Sequence, residues 1–169
     1  MRRIAKILVI LCCLCTVTTV FSGGTTTQKS TINYLYVLTA RTGTMSKTAK
    51  GYSLVLHQVS PQILWFTDRP NRKSGMIPTH GFIGHWHKLY QGDAPNIGLV
   101  HAGLASNTNG IATPMAMELS NPVVNGSSIR FKVKMLEGDR VKLGKLKDLA
   151  IFIDNGDGCG YGCSWGGPI

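Results

Sequence analysis

Acidic side chains are scarce in this sequence. The 169 residues include 8 Asp and Glu against 18 Lys and Arg, a net charge of +10 with His neutral. Chemistry that depends on paired carboxylates therefore has little to draw on. Neither a G-x-G-x-x-G nor a Walker pattern occurs where a strand could meet a helix, which argues against a phosphate-cradling nucleotide enzyme. Cysteine is sparse as well: three of the five, Cys12, Cys13 and Cys15, fall in the first 24 residues, leaving Cys159 and Cys163. No long apolar run follows residue 24, so no transmembrane helix is expected in the mature chain.

What the chain does have begins with a leader. Residues 1–24 read as a secretory signal peptide, with Arg2, Arg3 and Lys6 as the positive region and Ile7 to Val20 as the apolar stretch. Small or tolerated residues at Val20-Phe21-Ser22-Gly23 place cleavage near residues 22–24. About 14 apolar residues fall short of the roughly 20 that span a bilayer. Two alternatives stand beside cleavage: an uncleaved anchor, and lipid attachment at one of the three early cysteines. Leu11, Cys12 and Leu14 precede those cysteines, where a small residue is wanted. Export leaves a periplasmic or extracellular chain with 15 cations against 8 acids, a net of +7. A basic protein in that setting can meet an anionic surface or polymer, or another envelope protein.

Residues 25–31 read as a flexible leader, 32–154 as one domain, and 155–169 as a Gly/Cys-rich tail whose composition also suits disorder. Within the domain the pattern is that of strands: INYLYVLTAR, YSLVLHQV, QILWF, NIGLVHAGL, PMAMELS, SSIRFKVKML and LAIFID. The continuous run Ile63 to Phe66 is expected to be buried on both faces. Ile129, Phe131, Val133 and Met135 alternate with Arg130, Lys132 and Lys134, so the first set should face a core and the second water. Met115, Met117 and Leu119 supply facing apolar partners, and Asn125-Gly126 suits the tight turn between the two segments. Pro78 to Tyr90 departs from this pattern. Phe82, Ile83, Trp86, Leu89 and Tyr90 recur at helical steps, predicting one short helix over about 78–90. The expected fold is mainly β: an antiparallel, sandwich-like single domain with that one helix.

Five groups of residues could carry chemistry. His85 and His87 would share a face on a strand and could chelate zinc or copper, but on a helix they diverge. Asp154, Asn155 and Asp157 fail calcium-loop spacing, since the twelfth position is Trp165. Cys159 and Cys163 suit a local disulfide in an exported protein, better than redox catalysis, because C-x3-C is one longer than the redox motif. Arg130, Lys132 and Lys134, followed by Arg140, Lys142, Lys145 and Lys147, form a basic stripe. It reads as a solvated face or an anion site. Specific nucleic-acid binding is not expected, because the stripe's one aromatic, Phe131, points to the core. No cofactor is implied.

The fifth group is ILWFTDRPNRKSG, Ile63 to Gly75. Thr67 or Asp68 can accept hydrogen bonds from backbone N–H groups two or three residues on, Pro70 stiffens the turn, and Gly75 permits a positive φ. Asp68 could also pair with Arg69 or Arg72. The readings are a structural loop, an anion-binding loop of Arg69, Arg72 and Lys73, or a small hydrolase using Asp68 and a histidine.

Phe66, Thr67, Asp68, Arg69, Pro70, Arg72, Gly75, Phe82 and Trp86, then Pro95, Asn96, Glu118, Leu119, Pro122, Gly126 and Phe131, carry a resemblance. The chain resembles a group of small exported bacterial proteins of unknown function, in which an apolar strand ends in Phe-Ser/Thr-Asp-Arg-Pro-x-Arg ahead of a short helical segment with Trp. The likeness covers roughly Tyr34 to Asp154 and implies export. It implies no activity.

Overall fold

The computed structural model describes residues 32–90, 92–102, 114–136 and 141–154. The expected signal peptide, the leader to residue 31, and the tail with Cys159 and Cys163 lie outside the described residues. Eight strands form one antiparallel sheet among them: β1 (Tyr34–Thr48), β2 (Gly51–Val59), β3 (Gln62–Thr67), β4 (Ser74–Pro78), β5 (Asn96–Ala102), β6 (Met115–Asn125), β7 (Ser128–Met135) and β8 (Gly144–Asp154). Two short helices, α1 (Thr79–Gly84) and α2 (Trp86–Tyr90), follow β4.

Strand order is β2-β7-β6-β5-β8-β1-β3-β4, and β1 pairs again with β2. Six strands therefore return on themselves, and the two faces of this mainly β, sandwich-like domain are joined by continuous pairing. Closure removes the exposed backbone edges that an open sheet would leave. The inner positions are filled by Tyr36, Leu38, Leu54, Leu119, Phe131 and Ile151, all with no exposed surface. On β7 the alternation holds residue by residue: Ile129, Phe131 and Val133 are buried while Arg130, Lys132 and Lys134 are exposed.

Two irregularities keep apolar residues inward. On β6, Asn121 and Pro122 together oppose the single residue Phe131 of β7, between the pairs Ser120–Lys132 and Val123–Arg130, so Asn121-Pro122 forms a bulge within a continuous strand. Asn121 adopts φ 49° there, and a bulge is one of the few places where a strand tolerates proline. On β8 the extra residue falls between Lys147 and Ala150, where Asp148 has φ 49°. That insertion lets Leu146 and Leu149 both point inward although they are three apart. The β6–β7 turn is offset by one from the sequence expectation. Asn125 pairs with Ser128, so Gly126 and Ser127 are the central residues, with Gly126 at φ 57°.

β1 is longer than β2 and shares one of its edges between two partners. Ala40 to Thr48 face Val59 to Gly51, whereas Tyr34 to Val37 face Thr67 to Leu64. The switch occurs at Ser60-Pro61, where the Ser60 N–H donates to the Thr39 carbonyl at 2.9 Å. The β3–β4 hairpin thus extends beyond the closed ring, and one of its faces looks outward. This corrects the expectation for Ile63 to Phe66: Ile63 is buried, but Leu64 and Trp65 are half-buried and Phe66 is 39% exposed.

The helices pack where β3 departs from the ring. Thr79 Oγ1 donates to the Ser60 carbonyl at 2.7 Å and its N–H to the Pro61 carbonyl at 2.9 Å, holding α1 to the β2–β3 turn. The single helix expected over 78–90 is instead two, separated at His85, whose carbonyl accepts from both Lys88 and Leu89. Gly81 and Gly84 weaken α1 by about 1 kcal/mol each relative to Ala, so packing must hold it. An aromatic series does so. Tyr36 and Phe82 lie 4.6 Å apart between ring centroids, Phe82 and Trp86 5.8 Å, and Trp86 and Phe131 5.3 Å. The Tyr90 ring, 4.6 Å from Trp86, ends the series with a buried hydroxyl that has no hydrogen-bond partner among the described residues.

Trp86→Ala is expected to cost about 3–5 kcal/mol in a urea titration, because it leaves a cavity between β7 and the helices. Burial raises the Tyr90 hydroxyl pKa well above 10, with Tyr36 and Asp154 adding to the rise. The folded state therefore holds a proton that the unfolded chain releases, so stability is full below about pH 10 and falls above it. Tyr90→Phe should raise stability by about 1 kcal/mol at neutral pH and flatten that alkaline loss. Thermal melts from pH 7 to 11 check both parts.

Candidate anion-binding loop

The loop from β3 to β4 is held by its own backbone. Phe66 pairs with Ser74 as the last rung. The Thr67 N–H donates to the Lys73 carbonyl at 2.8 Å, the Lys73 N–H to Thr67 Oγ1 at 2.8 Å, and the Arg72 N–H to the Asp68 carbonyl at 3.0 Å. Arg69-Pro70 is a cis peptide, and Arg72 takes φ 48°. Asn33 ties the loop to the start of β1: its Nδ2 donates to Asp68 Oδ2 at 2.9 Å, and its carbonyl accepts from the Asp68 N–H at 3.4 Å.

Several sequence expectations change here. Thr67 Oγ1 does accept a backbone N–H, but from six residues on, and the Asp68 carboxylate binds Asn33 instead of closing an Asx-turn. Asp68 forms no ion pair with Arg69 or Arg72; the ion pair found among the described residues is Lys134–Glu118. Gly75 is not at positive φ, which falls to Arg72. Its smallness serves a different need: a Cβ at Gly75 would lie 2.8 Å from the Trp65 ring, which covers it across the hairpin.

Arg69, Arg72 and Lys73 are all exposed. With Phe66, Thr67, Asp68 and Ser74 they line an open depression of about 510 Å3. The structure thus brings together four of the expected site residues, Asp68, Arg69, Arg72 and Lys73, and adds Phe66, which the sequence assigned to a buried strand. The other three are placed elsewhere. Arg130, Lys132 and Lys134 project from β7, which pairs with β2 and β6 and shares no edge with β3 or β4. Lys134 is engaged by Glu118, at 2.9 and 3.2 Å to its two carboxylate oxygens.

No histidine lines the depression. His85 Nδ1 donates to the Gly81 carbonyl at 3.0 Å, and His87 is exposed on α2. Among the described residues no group of three or more His, Cys, Asp or Glu is placed to hold a metal ion. A second cavity, of about 180 Å3, lies between α1, the β2–β3 turn and the β6–β7 turn, lined by Ser60, Thr79, His80 and Ser127 among others. Nothing local in the sequence signals it, because its walls come from three separate segments. The tail also spells Gly162-Cys163-Ser164-Trp165-Gly166, a G-x-S-x-G string outside the described residues. Comparisons with protein families, with curated proteins and with solved structures find no match.

The loop's shape does not depend on its arginine side chains. Arg69→Ala should leave the melting midpoint within the range of a surface change, about 0.5 kcal/mol. Thr67→Val removes the acceptor for the Lys73 N–H and should cost about 1 kcal/mol. Denaturant titration of the two variants separates the roles.

Proposed function

We propose that the chain is an exported, non-enzymatic binding module whose β3–β4 loop holds an anionic group on a ligand, surface or partner. One observation carries this reading. Arg69, Arg72 and Lys73 surround one open depression, and no ion pair among the described residues neutralises them. The backbone bonds shape the loop without them, so the three cations are available to a ligand. Guanidinium groups suit phosphate, sulfate and carboxylate because their planar N–H pairs donate in parallel. The leader-like residues 1–24 and the resemblance to exported proteins support a location outside the cytoplasm. The β7 cations are a weaker candidate, since Lys134 already has Glu118. The hydrolase and metal readings draw no comparable support: Asp68 is engaged by Asn33, and no histidine reaches the depression.

Binding of fluorescently labelled polyphosphate, titrated at 50 and 200 mM NaCl, tests the proposal. Wild type should bind at the lower salt and weaken at the higher, as charge-driven association does. Arg69→Ala/Arg72→Ala should lose about tenfold or more. Arg130→Ala/Lys132→Ala should change the affinity by about twofold or less, as expected of cations outside the site. Affinity independent of both salt and the loop arginines would overturn the reading.

A further inference from the structure

The outward side of the sheet beside this loop is apolar. Phe152 on β8 pairs with Val37 on β1, Val37 with Leu64 on β3, and Leu64 with Met76 on β4. These four form one row across adjacent strands, spanning roughly 14 Å at the usual strand spacing. The next row on the same face places Leu35 opposite Phe66. All six point away from the core, because the alternate positions Tyr36, Ile63, Ile77, Ile151 and Ile153 are buried. Met76 is 64% exposed, and Leu35 and Phe152 are each 38% exposed. Phe66 belongs to this face and also lines the depression with Arg69, Arg72 and Lys73. The apolar face and the cationic loop are therefore one surface.

We infer that this surface docks on an anionic lipid membrane, with the loop cations at headgroup phosphates and Leu35, Phe66, Met76 and Phe152 entering the interfacial layer. The inference rests on the anion-binding reading and names its partner. Charge and shape together select the occupant. The apolar side chains stand on a sheet surface instead of lining a cleft, which suits a lipid boundary better than one enclosed small amphiphile. Further along the same two strands, Arg41 and Lys147 are also exposed, so cations lie at both ends of the apolar rows. Three acids are close: exposed Asp148 follows Lys147, opposite Arg41. Asp154 pairs with Leu35 in the second row, and the Asp68 carboxylate is held by Asn33. Five cations against three acids leave this side positive. A second copy of the chain would present the same positive loop, so a self-complementary contact would bring like charges together. An anionic bilayer complements both features, and stable attachment of a peripheral protein takes two such signals, apolar insertion and basic residues.

Flotation of the purified exported protein with vesicles, in 100 mM NaCl, tests this. One set is phosphatidylcholine alone and the other contains phosphatidylglycerol as well. Wild type should float with the phosphatidylglycerol vesicles and not with the neutral ones. Met76→Ser/Phe152→Ser, which lies outside the depression, should lose about tenfold in vesicle binding yet bind polyphosphate like wild type. Arg69→Ala/Arg72→Ala should lose both. If the Met76/Phe152 variant fails to fold, by circular dichroism, Leu35→Ser replaces it with the same expectation. Polyphosphate binding without flotation would overturn the lipid inference and leave the anion-binding reading standing. Flotation without polyphosphate binding, undiminished in the arginine variant, would overturn the anion-binding reading and this one with it. Equal flotation with both vesicle types, wild-type flotation of the serine variant, or a dimer by light scattering that the serine variant dissolves would each overturn the lipid inference.

Discussion

The length of β1 is the constraint on which the other elements depend. Its 15 residues pair with β8 along one edge, and the opposite edge is longer than the nine residues of β2 can satisfy. Unpaired backbone beyond Ala40 would expose N–H and C=O groups that a folded protein rarely leaves without partners. β3 takes over that edge after the turn at Ser60-Pro61. Once it does, the ring opens at that end, the aromatic series from Tyr36 through Phe82 and Trp86 to Phe131 fills the space, and the β3–β4 hairpin stands clear with one face outward. The helices, the loop and the apolar surface all follow from that handover.

The loop at the tip of the hairpin shows how structure and site divide the labour. Thr67, Lys73 and Asp68 close it through backbone groups, Asn33 anchors it to β1, and Gly75 lies flat beneath Trp65. None of these contacts uses a guanidinium. A loop whose form is independent of its charges can present those charges at little ordering cost, because the backbone is already fixed before any ligand arrives. That separation is the physical basis for treating the cations as binding groups and not as turn chemistry.

Sequence legibility varied with how local each signal was. The β6–β7 hairpin could be read almost completely, since Ile129, Phe131 and Val133 alternate with three cations and the buried face repeats every second residue. Even there the turn moved by one position, because a single positive-φ glycine at the first central place suffices. Asn121-Pro122 looks like a break but forms a bulge, which only its pairing with β7 makes possible. The split of the helix at His85 and the role of Gly75 were not legible. Both depend on what packs against the segment: the ring end in one case, the Trp65 indole in the other.

By itself the sequence determined a mainly β, antiparallel, basic domain and the position of the charged loop, because alternation and turn chemistry act over a few residues. The tertiary structure alone decided what Phe66 is for. In isolation Ile63 to Phe66 has the composition of a strand buried on both sides, and Leu35, Met76 and Phe152 are equally at home in a core. Their arrangement on one outer face is fixed by register across β8, β1, β3 and β4, between residues more than a hundred positions apart. Apolar residues on the wet side of a sheet have the same local pattern as those within, so only the pairing tells them apart.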